Sequence, residues 1–248
     1  MMNQRRRKFM QSSLAIATLS ATSSSKADTS ALEEIRIGLI GNGGRAATLK
    51  VELGKYPNAG IKAIAEVDEA RKQDQDVNHV DDLREILDDP DIDAVMIATP
   101  DHWHAPAAIM ACQAGKHVYV EKPCSHTVRE GRLLVEAATR NKVIVQHGTQ
   151  VRSTDMMIEA VELLREGIIG DVKVAKCWNV QRRANIGKQQ PSDPPPQLDY
   201  ENWVGPAEWL PYQQNRVNSG WHWCYNFGTG DMGNDGVHDI DYTRWGLG

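Results

Sequence analysis

Between Glu34 and about Val151, short apolar runs alternate with segments of helical periodicity. The runs are Ile35–Ile40, Ile61–Val67, Ala94–Ala98, His117–Val120 and Val143–Val145. They are rich in β-branched residues and nearly continuous, the pattern of strands covered on both faces. Between them, Ala105–Gly115 reads as a helix ended by a glycine C-cap. Thr127–Asn141 reads as a helix opened by a capping box, with Thr127 at the cap and Glu130 three residues on. A short further strand is expected near Val77–Val80. Strand and helix in alternation predict an α/β architecture with a doubly wound parallel sheet.

The pattern changes near Arg152. Met157, Ala160, Val161 and Leu164 fall at i, i+3, i+4 and i+7, an amphipathic helix that Gly167 and Gly170 end. Val172–Val180 reads as a strand. The stretch from Gln181 to Gly220 then carries six prolines, and connections of that length usually serve function or stay disordered. Six of the seven tryptophans lie at or after Trp178. No internal repeat is visible. The chain thus divides into residues 1–27, a first domain over 28–151 and the start of a second, α+β domain over 152–248.

Composition is that of a globular protein, 41% hydrophobic and 25% charged, with a formal net charge of −5. Arg5, Arg6, Arg7, Lys8 and Lys26 fall in residues 1–27, which hold no acid, so the remainder is more acidic still. That balance argues against a nucleic-acid partner and against an anionic membrane surface. The same basic start reads as a targeting segment. Arg6-Arg7-Lys8-Phe9-Met10 resembles a twin-arginine export signal. A moderately apolar stretch, Ser12 to Ala21, follows, and Ser25-Lys26-Ala27 offers small residues for cleavage. That stretch is too short for stable membrane insertion. Export to the periplasm, or otherwise out of the cytoplasm in the folded state, is the expectation. Cys112, Cys124, Cys177 and Cys224 show no metal-site spacing and read as free buried thiols.

Candidate chemistry begins after the first strand. Gly41-Asn42-Gly43-Gly44-Arg45-Ala46 fits G-x-G-x-x-G/A. The first glycine permits a tight turn, the second lets the backbone approach a pyrophosphate, and a small last residue lets the helix pack close. The pyrophosphate would then sit on a helix N-terminus. Glu66-Val67-Asp68 ends the second strand at the distance expected for a ribose partner. A carboxylate there accepts from a 2′-hydroxyl and repels a 2′-phosphate. Glu66 therefore favours NAD, while Arg71 and Lys72 nearby leave NADP open. The expected first domain is a Rossmann fold.

Two further segments leave the carboxyl ends of strands, where open α/β sheets bind ligands. These are Thr99-Pro100-Asp101-His102-Trp103-His104 and Glu121-Lys122-Pro123. From position alone, Lys122 reads equally as a proton-transfer group or a solvated charge, and His102 and His104 equally as ligand contacts or turn residues. No third ligand follows His-x-His at useful spacing, so no metal is expected. Near the C-terminus, a helix from about Gly233 would stack Asn234, His238 and Asp241 on one face. A histidine on such a face suits acid–base work near neutral pH, although a lone helix histidine is more often structural.

Together these stretches resemble the Gfo/Idh/MocA family of nicotinamide-dependent oxidoreductases. The resemblance rests on Ile37–Ala46, Asp89–Ala94, Ala98–His104, Glu121–Pro123, Gly148–Gln150 and Gly228–Gly248, in that order along the chain. It implies a second domain built on an open, mainly antiparallel sheet and longer than the one present, so the chain reads as C-terminally truncated. It implies that Lys122 and His238 flank the substrate carbon and the nicotinamide, with Asn234 four residues before the histidine. Sugar and cyclitol dehydrogenases of the family often carry Asp at that position. Asn cannot act as a supporting carboxylate, and Asp235 and Asp241 are the nearest substitutes. The nucleotide site expected on this basis comprises Gly41, Asn42, Gly43, Gly44, Arg45, Ala46, Glu66, Asp68, Thr99, Pro100, His102, His104, Glu121, Lys122 and Gln150. The resemblance also implies a carbohydrate or polyol substrate and a homo-oligomer. Three functions remain open: a hydride-transferring oxidoreductase, an NAD-dependent glycoside hydrolase of the same fold, and a non-catalytic nucleotide-binding sensor.

Overall fold

The first apolar run, Ile35–Ile40, forms a central strand (β1) whose last four residues are buried. The computed structural model describes residues 34–248, so the segment expected to be an export signal, with its expected cleavage site, lies outside the described residues. Around β1 stand β2 (Ala59–Ala65), β3 (Asn78–Val80), β4 (Ala94–Ile97), β5 (His117–Glu121) and β6 (Val145–Gly148). They form one six-stranded sheet in the order β3-β2-β1-β4-β5-β6. Every pairing is parallel; Ile37 faces Ala94 and Ile40 faces Ile97 across β1 and β4. The order reverses between β1 and β4, which opens a crevice at their carboxyl ends.

Helices cover both faces: α1 (Gly44–Leu53), α2 (Leu83–Asp88), α3 (Asp101–Gln113) and α4 (Val128–Asn141). The larger apolar layer holds Ile40, Ile86, Val95, Ile97, Val118 and Val120. The opposite layer is smaller and rests on Leu39, Ala46 and Ile64. The capping box of α4 forms as expected, with Thr127 accepting from the Glu130 amide and the Glu130 side chain returning to the cap.

Two boundaries differ from the sequence pattern. Helix α3 starts at Asp101 rather than Ala105, with Pro106 inside it and one backbone hydrogen bond forgone. Strand β6 begins where Val143–Val145 was expected to end, because its ladder is set by β5, with Val118 opposite Val145 and Glu121 opposite Gly148.

Beyond β6 lie α5 (Asp155–Arg165), α6 (Tyr200–Val204), α7 (Gln214–Val217), α8 (Gly230–Asn234) and α9 (Gly236–Leu247). The strand expected over Val172–Val180 does not form. Residues 171–191 make no backbone ladder among the described residues, and Val174, Trp178 and Val180 are exposed. A β-propensity run with no neighbour to pair with stays irregular. The antiparallel sheet expected for this region is likewise absent among the described residues. The Pro-rich stretch is not loose throughout. Leu198, Tyr200, Trp203, Val204, Val217 and Phe227 bury one another in an aromatic cluster against Val67 of the first domain. Of the four free thiols, only Cys112 is buried.

Candidate active site

The turn after β1 is built for close approach of a ligand. Gly41 has φ +87°, a left-handed conformation open to glycine, and its amide donates to the Ala65 carbonyl at 2.8 Å. A Cβ on Gly41 would lie 3.0 Å from the Ala98 carbonyl oxygen, while one on Gly44 would meet nothing within 4 Å. Glu66 fastens the turn from the end of β2. Its Oε2 accepts from the Asn42 amide at 2.7 Å and its Oε1 from the Asp68 amide at 3.0 Å. An ionised carboxylate offers about four lone-pair sites, so two remain for a ribose hydroxyl.

A cavity of about 560 Å³ opens along the crevice. Of the expected nucleotide residues, Gly41, Gly43, Gly44, Arg45, Glu66, Asp68, Thr99, Pro100, His104, Glu121, Lys122 and Gln150 line it. The residues present fit a dinucleotide. Gly44 leaves open space at the helix N-terminus, and Thr99, which lines the same cavity, has a buried hydroxyl with no hydrogen-bond partner.

Three expected contacts do not line the cavity. Asn42 instead clamps the turn, its amide nitrogen donating to the Arg71 carbonyl and Asp74 while its oxygen accepts from Lys50. Ala46 is fully buried beneath α1, where its small size lets helix and strand pack. His102 is a joint rather than a ligand contact. Its ring nitrogens face the Trp203 carbonyl at 2.9 Å and the Phe227 carbonyl at 3.3 Å. Burial pulls its pKa down to about 4, outweighing the two carbonyl oxygens that favour the charged ring.

His104, two residues further along α3, is also a tie between segments. Its ring nitrogens sit 2.6 Å from the Pro123 carbonyl and 2.9 Å from the Thr99 carbonyl, joining the loops after β4 and β5. Those contacts hold the Glu121-Lys122-Pro123 segment. Glu121 is buried, with Arg45 Nε at 2.7 Å and the Tyr119 hydroxyl donating at 3.0 Å to the same oxygen. Beside this carboxylate, burial raises the Tyr119 pKa to about 12. A Cβ on Gly148 would stand 2.6 Å from the Tyr119 oxygen, so glycine on β6 makes room for that hydroxyl.

Lys122 is half-buried, and its Nζ donates to both the backbone carbonyl and the side-chain oxygen of Asn234 at 2.9 Å. Burial lowers its pKa, opposed by the nearby carboxylates of Asp101, Glu121 and Asp235. The pKa of His238 is also lowered, by burial first and by Lys122 next, and its Nδ1 is buried without a partner.

The helix carrying Asn234 and His238 is not continuous. It breaks at Asp235, which ends α8 and starts α9, so the expected single stacked face is replaced by two short helices. Asp235 forms an ion pair with Arg183, and Asp241 pairs with Arg152 at 2.6 Å. Both carboxylates are engaged with arginines, and Asp235 still lies close enough to Lys122 and His238 to favour their charged forms. Arg71 lines the cavity, whereas Lys72 is taken up by Glu69 and Asp81.

Asp101 was not anticipated. It is buried at the start of α3, lines the cavity, and accepts from the Thr229 amide at 3.0 Å and hydroxyl at 2.6 Å. Its place in the Thr99–His104 run, an acid opening a helix, was the available signal. No cluster of metal-binding side chains occurs among the described residues.

Known proteins share this arrangement. A family model described as an oxidoreductase family with an NAD-binding Rossmann fold matches residues 35–149. A second, the C-terminal alpha/beta domain of the same oxidoreductase family, matches residues 163–248. A levoglucosan dehydrogenase of Pseudarthrobacter phenanthrenivorans is 34% identical over 154 residues, which cover 57% of this chain and 40% of the dehydrogenase. A glycosyl hydrolase family 109 protein of Shewanella sp. strain ANA-3 is 31% identical, over 57% of this chain and 34% of its own. The matched stretch is thus well under half the length of these curated relatives. Among solved structures, the scyllo-inositol dehydrogenase of Lactobacillus casei with bound NAD(H) and scyllo-inositol is 27% identical, with a TM-score of 0.52 over 56% of this chain and 43% of that one. By its glycine turn, its strand-end motifs and these matches over both regions, the chain belongs to the Gfo/Idh/MocA family of oxidoreductases.

Proposed function

We propose that the protein transfers hydride between a nicotinamide dinucleotide and a hydroxyl-bearing carbon of a sugar, cyclitol or related polyol. The observation that carries this reading is Lys122, which lines the same cavity as the glycine turn and is fixed from the other side by Asn234. A bound nicotinamide supplies the hydride acceptor. The chain supplies the rest. Lys122 donates a hydrogen bond to the substrate oxygen and polarises it; in the reverse reduction its proton, held less tightly because burial makes the charge costly, can pass to that oxygen. His238, disfavoured as a cation by burial and by Lys122, is a base able to take the hydroxyl proton. The Glu66 carboxylate at the ribose position favours NAD over NADP.

A second reading is a glycoside hydrolase that holds NAD permanently. It is favoured by the family 109 relative, whose identity to this chain is close to that of the levoglucosan dehydrogenase. The two are separated by offering polyols, sugars and aryl glycosides to the NAD-loaded protein. Hydride transfer changes nicotinamide absorbance. Glycosidase action releases aglycone with no net change. In either case Lys122→Ala and His238→Ala should each cut turnover by about 100-fold or more, the scale for losing an acid–base group, with bound nucleotide retained. Full activity in His238→Ala would remove the proposed base. A nucleotide-loaded wild type inert on the whole panel would favour a sensor.

A further inference from the structure

The Pro-rich segment after residue 190 folds back onto the nucleotide crevice. Its anchor is a two-sided clip at the end of β2: the Glu69 amide donates to the Gln197 carbonyl and the Asp199 amide to the Val67 carbonyl, both at 2.9 Å. Between those bonds Asp68 and Leu198 form an antiparallel bridge. The clip therefore sits on the loop directly after Glu66, at the ribose end of the site. From there the chain contributes Leu198, Asn202, Trp203, Asn218, Trp221 and His222 to the walls of the cavity that the glycine turn opens. Trp221 and His222 stack, with ring centroids 3.6 Å apart and 18° between planes. The segment is held down by its own core, in which Trp203 and Phe227 meet edge to face at 4.8 Å.

We infer that residues 197–222 form a strap that walls in the bound dinucleotide, clipped down at the ribose end and carrying the Trp221–His222 pair as a section of the cavity wall. This rests on the dinucleotide reading above and adds to it. The sheet alone would leave the β2–β3 end of the crevice open to solvent, and nucleotide would exchange as in an ordinary open site. With the clip closed, release requires the strap to detach from Val67 and Glu69. The nucleotide is then a resident group and not a co-substrate drawn from a pool.

The test follows retention of label, not turnover. The full chain is loaded with radiolabelled NAD, freed of excess, and chased with unlabelled NAD. The wild type should keep its label through the chase, and a Trp221→Ala/His222→Ala variant should lose it at least about ten-fold faster. Equal loss rates in the two folded proteins would overturn the strap. Failure of the wild type to take up NAD at all would overturn the dinucleotide reading, and the strap with it. If the double variant does not fold, amide hydrogen exchange on the wild type decides. NAD should slow exchange at Glu69 and Asp199 by about ten-fold or more, and unchanged protection there would overturn the proposal.

Discussion

Lys122 holds Asn234 by two hydrogen bonds of 2.9 Å, one to the backbone carbonyl and one to the side-chain oxygen, so a neutral amide occupies the position where a carboxylate would face the ammonium. The pairing ties the end of β5 to the break between α8 and α9. It also leaves the buried charge of Lys122 without a carboxylate in direct contact, and its pKa falls.

Asn234→Asp should reverse that fall. A carboxylate at hydrogen-bond distance favours the ammonium and raises a lysine pKa, typically by about one unit or more. The limb of the pH–turnover profile that reports Lys122 should move to higher pH by that amount. A profile identical to wild type would show that Lys122 does not titrate in the measured reaction.

The glycine turn makes a separate prediction. A Cβ on Gly43 would stand 3.0 Å from a guanidinium nitrogen of Arg71, which can swing away, so Gly43→Val should fold. Its side chain would nevertheless occupy the path of the pyrophosphate. NAD affinity by calorimetry should fall at least ~10-fold, or about 1.4 kcal/mol. Undiminished binding would remove the turn from the nucleotide site.

Stability should depend on His102. Its pKa is depressed from 6.5 to about 4 in the fold, so below pH 6.5 the unfolded chain binds a proton that the folded chain resists. The neutral ring's contribution is complete above pH 6.5 and is lost as pH falls through about 4. Denaturation midpoints should drop across that window in the wild type. The drop should be shallower in His102→Gln, which keeps a polar group at the joint without the titration; matching slopes would assign the drop to other groups.

Export is testable apart from chemistry. Arg6 and Arg7 stand ahead of a short apolar stretch with a cleavage-like Ala27. Replacing both arginines by lysine should hold the protein in the cytoplasm with residues 1–27 uncleaved. Fractionation showing undiminished export would sink the twin-arginine reading.

Much of the first domain was legible because its signals are local. β1 runs over Ile35–Ile40 as read, the capping box fixes α4, and Gly41 sits where a left-handed residue is needed. What was missed depends on partners far along the chain. The start of α3 owes its first turn to Thr229, Trp203 and Phe227, more than ninety residues away. The run Val172–Val180 has strand composition but no strand to pair with among the described residues. In the site, Lys122, His238 and Asn234 were brought together in advance only through the family resemblance, which related Asn234 to the histidine and not to the lysine that it bonds. The break at Asp235 carried no sequence signal beyond the glycines around it. The strap was invisible because its clip is made of backbone groups.

The aromatic cluster over 198–227 draws one wall from Val67 and takes the imidazole of α3 as a bridge between the Trp203 and Phe227 carbonyls. Val67 closes one side of that cluster, and His102 on α3 loses both of its carbonyl partners without it. On heating, cluster and sheet should melt together in one cooperative transition, not as separate units.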